Sequence, residues 1–316
     1  MKKMFPNSLF LTFIFLGCQS NVPRFDKDHA FSYLVAQCDF GPRNPGSDGY
    51  YACLDYLITE LDQSANEIIL QDFSYQEQRY NKRYNLENIV ARFNPDAEFQ
   101  TVISAHWDTR PWADQEDLRQ DRDQPIIGAN DGASGVAILL ELAKIMGENP
   151  PPIGVNLVFF DGEDYGAPEG TPSTSTSYLE WCLGSQLWAK QPHRYGYRAR
   201  FGILLDMVGA KDAVFNREGT SMRYAPSVVR KVWSRAEKLG YGRWFQNRET
   251  PATIDDNLFV SELGGVPSVN IVDYRMNVIP MGYGPFHHTH ADNMDVIDRS
   301  TLEAVGKTVL SIVYSE

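Results

Sequence analysis

The sequence predicts a single α/β domain with a central, twisted, mixed but mostly parallel sheet and helices on both faces. Apolar runs of strand length alternate with segments of helical periodicity throughout residues 29–316. Alternation of this kind is typical of parallel strands joined by crossover helices. No repeat, internal linker or change of composition divides these residues, so one domain is expected rather than two.

The N-terminus has the pattern of a secretory signal peptide. Two lysines precede the apolar run 9–16, which is too short to cross a bilayer as a helix but has the length of a signal-peptide core. The run continues into Leu16-Gly-Cys18, which resembles the lipobox of bacterial lipoproteins, whose cysteine is lipidated. The sequence therefore predicts export to the bacterial periplasm or cell envelope, removal of residues 1–17 and a lipid on Cys18. A plain secretory signal that is cut nearby is the alternative.

Residues 18–28 are polar and are interpreted as a short tether, so the predicted domain starts at residue 29. A lipid would attach this domain to a membrane surface without embedding it. Three cysteines remain beyond the tether. An exported chain can keep disulfides, and Cys38 and Cys53 flank a turn-rich segment, so a disulfide between them and a pair of free thiols are both open. Cys182 is expected to be a buried thiol.

The spacing of apolar residues predicts the helices and strands in order. Helices are expected over residues 30–37, 50–62, 132–146, 185–190, 226–239 and 300–314. Strands are expected over residues 67–75, 84–93, 100–106, 155–160, 200–205 and 266–272. A long polar loop follows the third strand. Its acidic part, 114–123, is interpreted as a solvated insertion, with a place at the mouth of a site as the alternative.

A glycine-rich turn, Ile127–Gly135, precedes the third predicted helix. Its three glycines permit unusual backbone angles and a close approach of the backbone to its neighbours. Asp131 is the single acidic side chain in this turn. An aspartate in such a position is most often a helix cap. It is a candidate metal ligand only if other ligand-type residues lie beside it.

Acidic or imidazole side chains follow four of the predicted strands. They are His106 and Asp108, the acidic group in 161–164, Asp206, and the histidines and aspartate in 287–292. Each one alone has an ordinary explanation as a turn cap or a solvated charge. Because ligands bind outside the carboxyl ends of parallel strands, these groups are expected to share one crevice. So many like charges are costly together without a cation, and with one they form a binding site.

Five short motifs resemble, in their order along the chain, those of the zinc aminopeptidase fold of family M28, which also houses the glutaminyl cyclases. They are His106-x-Asp108, Asn130-Asp-Gly-Ala-Ser134, Phe159-Phe-Asp-Gly-Glu-Asp164, Leu204-Leu-Asp-Met207 and His288-Thr-x-x-Asp292. The resemblance covers roughly residues 30–316. Two segments, Leu205–Ala210 and Ile254–Asp256, are more similar to the zinc-dependent, animal-type glutaminyl cyclases, of which bacterial members exist, than to the aminopeptidases.

The resemblance implies one zinc ion per chain, held by Asp131, Asp164 and His288. Three protein ligands and an open fourth position are also what a catalytic zinc site requires. The cyclases commonly have Glu where this chain has Asp164. The shorter side chain implies a closer backbone or a different binding mode.

The resemblance further implies that Glu163 is the proton shuttle and that Asp206 and Asp255 form a hydrogen-bonded pair beside it. Two adjacent carboxyl groups are expected to share a proton, because both cannot ionise freely. The implied activity is the conversion of an N-terminal Gln to pyroglutamate with release of ammonia. The implied substrates are peptides or exported proteins with an N-terminal Gln.

The sequence departs from the family pattern near the last ligand. His287 stands where the animal enzymes have Trp, so it is a candidate substrate-binding residue with an altered aromatic wall. His290 is an alternative zinc ligand. Among Trp107, Trp112 and Trp181, the last is the candidate for substrate binding, although a core position is the ordinary explanation for each.

A zinc aminopeptidase is the competing interpretation, since two zinc ions could be held by His106, Asp131, Asp164, Asp206 and His288. A binding module without catalysis predicts a missing ligand or base, and all the expected positions are filled. A serine hydrolase is disfavoured because Gly132–Gly135 lacks the spacing of a nucleophile elbow. The balance of 41 acidic and 29 basic residues, −12 in formal charge, argues against nucleic acid as a partner. A monomer is expected.

Overall fold

The computed structural model describes residues 22–77, 81–172, 174–277 and 282–316. The predicted signal peptide, 1–17, and the predicted lipidation site, Cys18, lie outside these residues. Among the described residues, no helix has both the length and the hydrophobicity needed to cross a membrane.

The described residues form eight strands and eight α-helices. The strands are β1 (Glu67–Glu77), β2 (Lys82–Phe93), β3 (Gln100–His106), β4 (Gly154–Phe160), β5 (Gly202–Asp206), β6 (Phe215–Arg217), β7 (Phe245–Glu249) and β8 (Ser268–Val272). The helices are α1 (Lys27–Asp39), α2 (Asp48–Asp62), α3 (Ala133–Glu148), α4 (Leu183–Lys190), α5 (Gly219–Tyr224), α6 (Pro226–Lys238), α7 (Asp256–Glu262) and α8 (Arg299–Val313).

Six strands form the central sheet in the order β1-β2-β4-β3-β5-β8. The pairs β1–β2 and β2–β4 are antiparallel, whereas β4–β3, β3–β5 and β5–β8 are parallel. The predicted mixed, mostly parallel sheet is therefore confirmed. All six predicted strands are present, with ends that differ by only a few residues. The pair β6–β7 forms a separate two-stranded sheet.

Helices cover both faces of the sheet. Alternate residues of β4 point to opposite sides: Leu157 and Phe159 join the core under α1, α2, α3 and α8, whereas Val158 and Phe160 join the core under α4 and α7. The whole of β4 is buried, as expected for a central strand covered on both faces. This arrangement leaves the carboxyl ends of β3, β4, β5 and β8 along one edge.

The sequence did not predict β6, β7, α5 and α7. The segments are only three to seven residues long, which is too short for a hydrophobic period to be read. In β7, only Phe245 is buried, and the three residues at its end are exposed. These elements are stabilised by their contacts with the rest of the domain rather than by their own pattern.

The folded domain begins before residue 29, so the predicted boundary is too late. The side chain of Phe25 is only 2% exposed and packs against α8, where a Cβ atom on Gly306 would lie 2.3 Å from its ring. Asp26 caps α1 by accepting hydrogen bonds from the backbone N–H groups of Asp28 and His29. Phe25, the one aromatic residue of this polar segment, therefore joins the end of the predicted tether to the core.

Of the two states that the sequence leaves open for Cys38 and Cys53, the structure has the free thiols and no disulfide. They belong to α1 and α2 and contribute to the same core. Burial raises the pKa of Cys38 to about 11 and that of Cys53 to about 12. Because the thiolate is the reactive species, both side chains behave as small apolar groups. Cys182 is a buried thiol, as predicted.

Candidate active site

The carboxyl edge of the sheet borders a cavity of about 380 Å³. Every side chain predicted for zinc binding, catalysis or substrate contact lines it, namely Asp131, Asp164, His288, Glu163, Asp206, Asp255, Trp181 and His287. Residues distant in sequence therefore meet where the topology of an open α/β sheet places a ligand.

The three predicted zinc ligands converge from three separate loops. Nε2 of His288 lies 3.1 Å from Oδ1 of Asp164 and 3.7 Å from Oδ2 of Asp131. All three side chains are buried. Burial opposes a charged imidazole, but the charge of Asp164 and the hydrogen bond to Asp114 help to raise the pKa of His288 to about 9. The negative potential at this point favours a cation.

The loop before α3 aims the Asp131 carboxylate into the cavity. Oδ1 and Oδ2 of Asp292 accept hydrogen bonds from the backbone N–H groups of Asn130 and Asp131, at 2.7 and 3.0 Å. The cap position of α3 is Gly132, whose φ of 90° favours glycine and which has no side-chain cap. Asp131 is therefore not the helix cap, and its side chain is available for another contact.

Glycine 135 allows α3 to lie directly against β5. A Cβ atom at Gly135 would lie 2.2 Å from the carbonyl oxygen of Leu205 and 2.9 Å from the side chain of Ala105. This close approach brings the Asp131 turn beside the end of β5, where Asp206 is. The predicted role of the glycines, close backbone approach, is confirmed at this position.

The loop after β4 is held by Asp108 and Arg110. Asp108 accepts hydrogen bonds from the backbone N–H groups of Glu163 and Asp164, at 3.1 and 3.2 Å. Arg110 donates to the carbonyl oxygen of Asp164 at 3.0 Å. Asp108 thus shapes the site through the backbone of this loop, and no motif in the sequence indicated Arg110. Its position two residues beyond the His106-x-Asp108 motif was the available signal.

The residues present fit a zinc ion. Oδ2 of Asp164 is buried and has no hydrogen-bond partner among the described residues. An unpaired buried carboxylate oxygen is costly, and a bound cation removes that cost. Two carboxylates and one imidazole at the cavity wall form a donor set whose chemistry suits catalytic zinc.

A second set of possible ligands adjoins the first. Nε2 of His106 lies 3.1 Å from Oδ1 of Asp131 and 3.3 Å from Oδ1 of Asp206. These three side chains offer ligand atoms within 4.8 Å of one another. Asp131 belongs to both sets, so the geometry permits the two-zinc arrangement as well as the one-zinc arrangement.

Three acids lie beside the ligands: Asp206 and Asp255 are buried, and Glu163 is half-buried at the cavity wall. Ligand atoms of Glu163, Cys182 and Asp255 are within 4.8 Å of one another. Burial raises the pKa of Glu163 well above its usual range; the charge of His106 opposes this shift and that of Asp255 adds to it. Burial, together with the charge of Asp206, likewise raises the pKa of Asp255 well above its usual range.

Cys182 contacts the predicted proton shuttle directly. Its Sγ donates a hydrogen bond to Oε1 of Glu163 at 3.2 Å. Burial and the charge of Glu163 raise the thiol pKa well above its usual range, so the thiol remains a donor. The sequence predicted the burial of Cys182 but not this contact, because the two residues are brought together only by the loop that leads to α4.

Aromatic side chains form the wall near His288. Trp181 stacks on His288 with ring centroids 6.2 Å apart, and the Arg110 guanidinium lies over the Trp181 ring at 4.7 Å. His287 stacks on His288 at 3.6 Å and contacts Tyr283 at 4.5 Å. Tyr283 also lines the cavity, and no motif in the sequence indicated it.

The other candidates lie elsewhere. His290 pairs with Glu116 and does not line the cavity. Trp107 is fully buried, as the core interpretation predicted, and Trp112 packs on Tyr165. The acidic loop 114–123 is divided: Asp114 and Gln115 line the cavity, whereas most of the remainder is exposed. The interpretation as a solvated insertion is therefore wrong for Asp114, which is buried, and the alternative place at the mouth of a site holds for Asp114 and Gln115.

Comparison with known proteins agrees with this geometry. Residues 88–313 match the family model of peptidase family M28. The chain belongs to this family. The predicted family is thereby confirmed.

One similar solved structure is a glutaminyl cyclase of Bacteroides thetaiotaomicron bound to N-acetylhistamine. It is 42% identical, covers 94% of this chain and 100% of its own, and has a TM-score of 0.89. A leucine aminopeptidase precursor of the same organism is 41% identical, covers 94% of this chain and 99% of its own, and has a TM-score of 0.88. A glutaminyl-peptide cyclotransferase of Drosophila melanogaster is 26% identical over 289 residues, which are 83% of this chain and 73% of that protein.

Proposed function

We propose that this M28 protein is a zinc-dependent glutaminyl-peptide cyclotransferase. It converts the N-terminal Gln of peptides or proteins to pyroglutamate and releases ammonia. The observation that carries this proposal is the group of acids Glu163, Asp206 and Asp255 in the cavity of the zinc-ligand set. Support comes from the 42% identity to a glutaminyl cyclase along its whole length.

Asp131, Asp164 and His288 would hold one zinc ion, which when bound polarises the γ-amide carbonyl of the substrate and favours negative charge on its oxygen. Glu163 takes a proton from the substrate α-amine as the amine nitrogen forms a bond to the γ-carbonyl carbon. It then gives that proton to the leaving nitrogen as the carbon–nitrogen bond of the side-chain amide breaks. The products are the five-membered lactam and ammonia.

The surroundings of Glu163 suit this role. A carboxylate whose pKa is raised by burial is a stronger base than one in water. The charges of Asp255 and Asp164 add to this raised pKa, and the Cys182 thiol donates a hydrogen bond to one Glu163 oxygen. The attacking and accepting groups belong to the same substrate residue, so the enzyme has mainly to supply orientation and charge.

Aminopeptidase activity is the second candidate. It is favoured by the cluster of His106, Asp131 and Asp206, which can complete a second metal site, and by the 41% identity to a leucine aminopeptidase precursor. This activity requires a metal-activated water at the open coordination position rather than an attacking amine within the substrate. The two candidates therefore differ in zinc content and in product.

We expect the purified protein to release ammonia from a Gln-peptide and to contain about one zinc per chain. A chelator should abolish the activity, and added zinc should restore it. A peptide with N-terminal Asn has the same amide one carbon closer, and cyclisation would give a strained four-membered ring, so it serves as the matched negative substrate. Hydrolysis of leucyl amide without ammonia release from the Gln-peptide, with about two zinc ions per chain, would support the aminopeptidase instead.

We also propose that residues 1–17 are a signal peptide and that Cys18 carries a lipid, so that a monomeric domain is held at the cell envelope. The apolar run and Leu16-Gly-Cys18 support this proposal. Exported proteins with N-terminal Gln would then be its substrates. Cys18→Ser should move the protein from the membrane fraction to the soluble fraction, and a wild-type protein found only in the soluble fraction would refute the anchor.

A further inference from the structure

Glu218 is a fully buried carboxylate that does not line the cavity. It follows β6 and precedes α5. Oε1 accepts hydrogen bonds from the backbone N–H groups of Thr220 at 2.6 Å and Thr253 at 2.8 Å. Oε2 accepts from the backbone N–H and the hydroxyl of Ser221, at 2.7 and 2.8 Å. The bonds to Thr220 and Ser221 N–H are an ordinary helix cap, but the bond to Thr253 is not.

Thr253 belongs to the segment that leads to Asp255. Its N–H donates to Glu218, and its carbonyl oxygen accepts from the Thr220 hydroxyl at 2.8 Å. A few residues earlier, the N–H of Thr250 donates to the carbonyl oxygen of Arg217 at 3.1 Å. The backbone N–H and carbonyl oxygen of Thr253 are therefore both hydrogen-bonded to the turn formed by Glu218 and Thr220. These two bonds fix the segment before Asp255.

A second connection reaches the Asp255 side chain itself. The Ser221 hydroxyl, which donates to Glu218, accepts a hydrogen bond from the N–H of Asn270 in β8 at 2.9 Å. The side-chain amide of Asn270 donates to Oδ2 of Asp255 at 2.5 Å. Glu218 is thus linked to the backbone before Asp255 and to the residue that holds its carboxylate.

We propose that Glu218 is a positioning residue that keeps Asp255 beside Glu163. Glu218 touches neither the cavity nor the substrate, and it acts through Asp255. The inference rests on the proposed function for the catalytic roles of Glu163 and Asp255, whereas the hydrogen bonds of Glu218 are independent of it. A carboxylate is required at this position because each oxygen already accepts hydrogen bonds, whereas the amide of Gln would turn an NH₂ group toward other donors.

A role in stability alone would have different consequences. A buried carboxylate that only caps α5 would lower the unfolding temperature when replaced and leave turnover per folded molecule unchanged. A positioning role lowers kcat with little change in KM, because an interaction made only in the transition state is lost. With a positioning role, the loss of kcat also depends on the presence of Asp255.

The test is a double-mutant cycle with Glu218→Gln and Asp255→Asn, measured as kcat and KM together with zinc content and unfolding temperature. We expect Glu218→Gln to lower kcat by roughly tenfold or more, with KM within about twofold of wild type. In the Asp255→Asn background, the same substitution should change kcat by less than about threefold, because the two residues act as one unit.

The matched control is Glu141→Gln. Glu141 is a buried carboxylate in α3 that accepts hydrogen bonds from the Asp26 N–H and from His29, away from the cavity. Its replacement should lower the unfolding temperature and leave kcat unchanged. Thr220→Val is a milder variant that removes only the hydroxyl bond to Thr253, and it should lower kcat by a smaller factor, again only when Asp255 is present.

Unchanged kcat in both Glu218→Gln and Thr220→Val, or equal losses with and without Asp255, would overturn the proposal. If Glu218→Gln does not fold, Thr220→Val decides by the same two criteria. The wild-type protein is assayed first for ammonia release and for leucyl amide hydrolysis. If the wild-type protein releases no ammonia, the proposed function is contradicted, and the double-mutant cycle is measured with leucyl amide hydrolysis instead. A failure of the proposed function is thereby distinguished from a failure of the proposal for Glu218.

Discussion

Replacing Glu163 with Gln is expected to lower kcat for ammonia release by about two to four orders of magnitude, the usual contribution of a general acid–base group. The amide has nearly the shape of the carboxylate but cannot take a proton from the attacking amine. Zinc content should remain that of the wild type, because Glu163 is not among the three ligands. KM should change little, since the missing proton transfer occurs only in the transition state.

The measurement is ammonia release under saturating Gln-peptide, with zinc determined on the same preparations. Glu262→Gln, the same change at an exposed position at the end of α7, is the control for expression and folding. Near-wild-type turnover by Glu163→Gln would remove Glu163 from the mechanism. A loss of zinc in the same variant would instead place its carboxylate at the metal.

Replacing His288 with Ala is expected to remove most of the bound zinc and to lower activity by more than about a hundredfold. Replacing a residue that only supports a metal ligand costs up to about a hundredfold, so the loss of a ligand itself should cost more. His288 contributes the single imidazole of the proposed ligand set, and its Nε2 faces Asp164 at 3.1 Å. The remaining two carboxylates leave the ion underligated.

His106→Ala is the matched comparison, since it removes the imidazole of the set His106, Asp131 and Asp206. In the one-zinc arrangement, zinc content stays at about one per chain in His106→Ala and falls only in His288→Ala. Elemental analysis of the dialysed proteins distinguishes the one-zinc arrangement from the two-zinc arrangement. A fall from about two zinc ions to about one in His106→Ala would support the aminopeptidase arrangement.

The candidate site was largely predictable because its residues lie at strand ends. A parallel sheet brings the carboxyl ends of its strands to one edge, so Asp164, Asp206 and His288 could be grouped without any distance, and the resemblance of the Asp131 turn to a family motif added Asp131. Their chemical types then indicated a cation. The same logic could not find Tyr283, which lies in an irregular loop.

Packing decides between the two states that the sequence leaves open for Cys38 and Cys53: both are free thiols, with Cys53 buried and Cys38 partly buried. Two expectations are wrong for physical reasons. The average polarity of residues 18–28 predicts a tether, yet a single buried side chain, Phe25, extends the domain. The charge of 114–123 predicts a solvated loop, yet Asp114 is buried and lines the cavity.

The sequence by itself determined the fold class, the six strands of the central sheet and the set of ligand-type residues at their ends. It could do so because hydrophobic period and strand-end chemistry are local properties. Only the tertiary structure decided which polar groups share hydrogen bonds across the chain. The contacts of Glu163 with Cys182 and of Glu218 with Thr253 join residues from different loops. Such pairings depend on the packing of whole elements, and no local pattern records them.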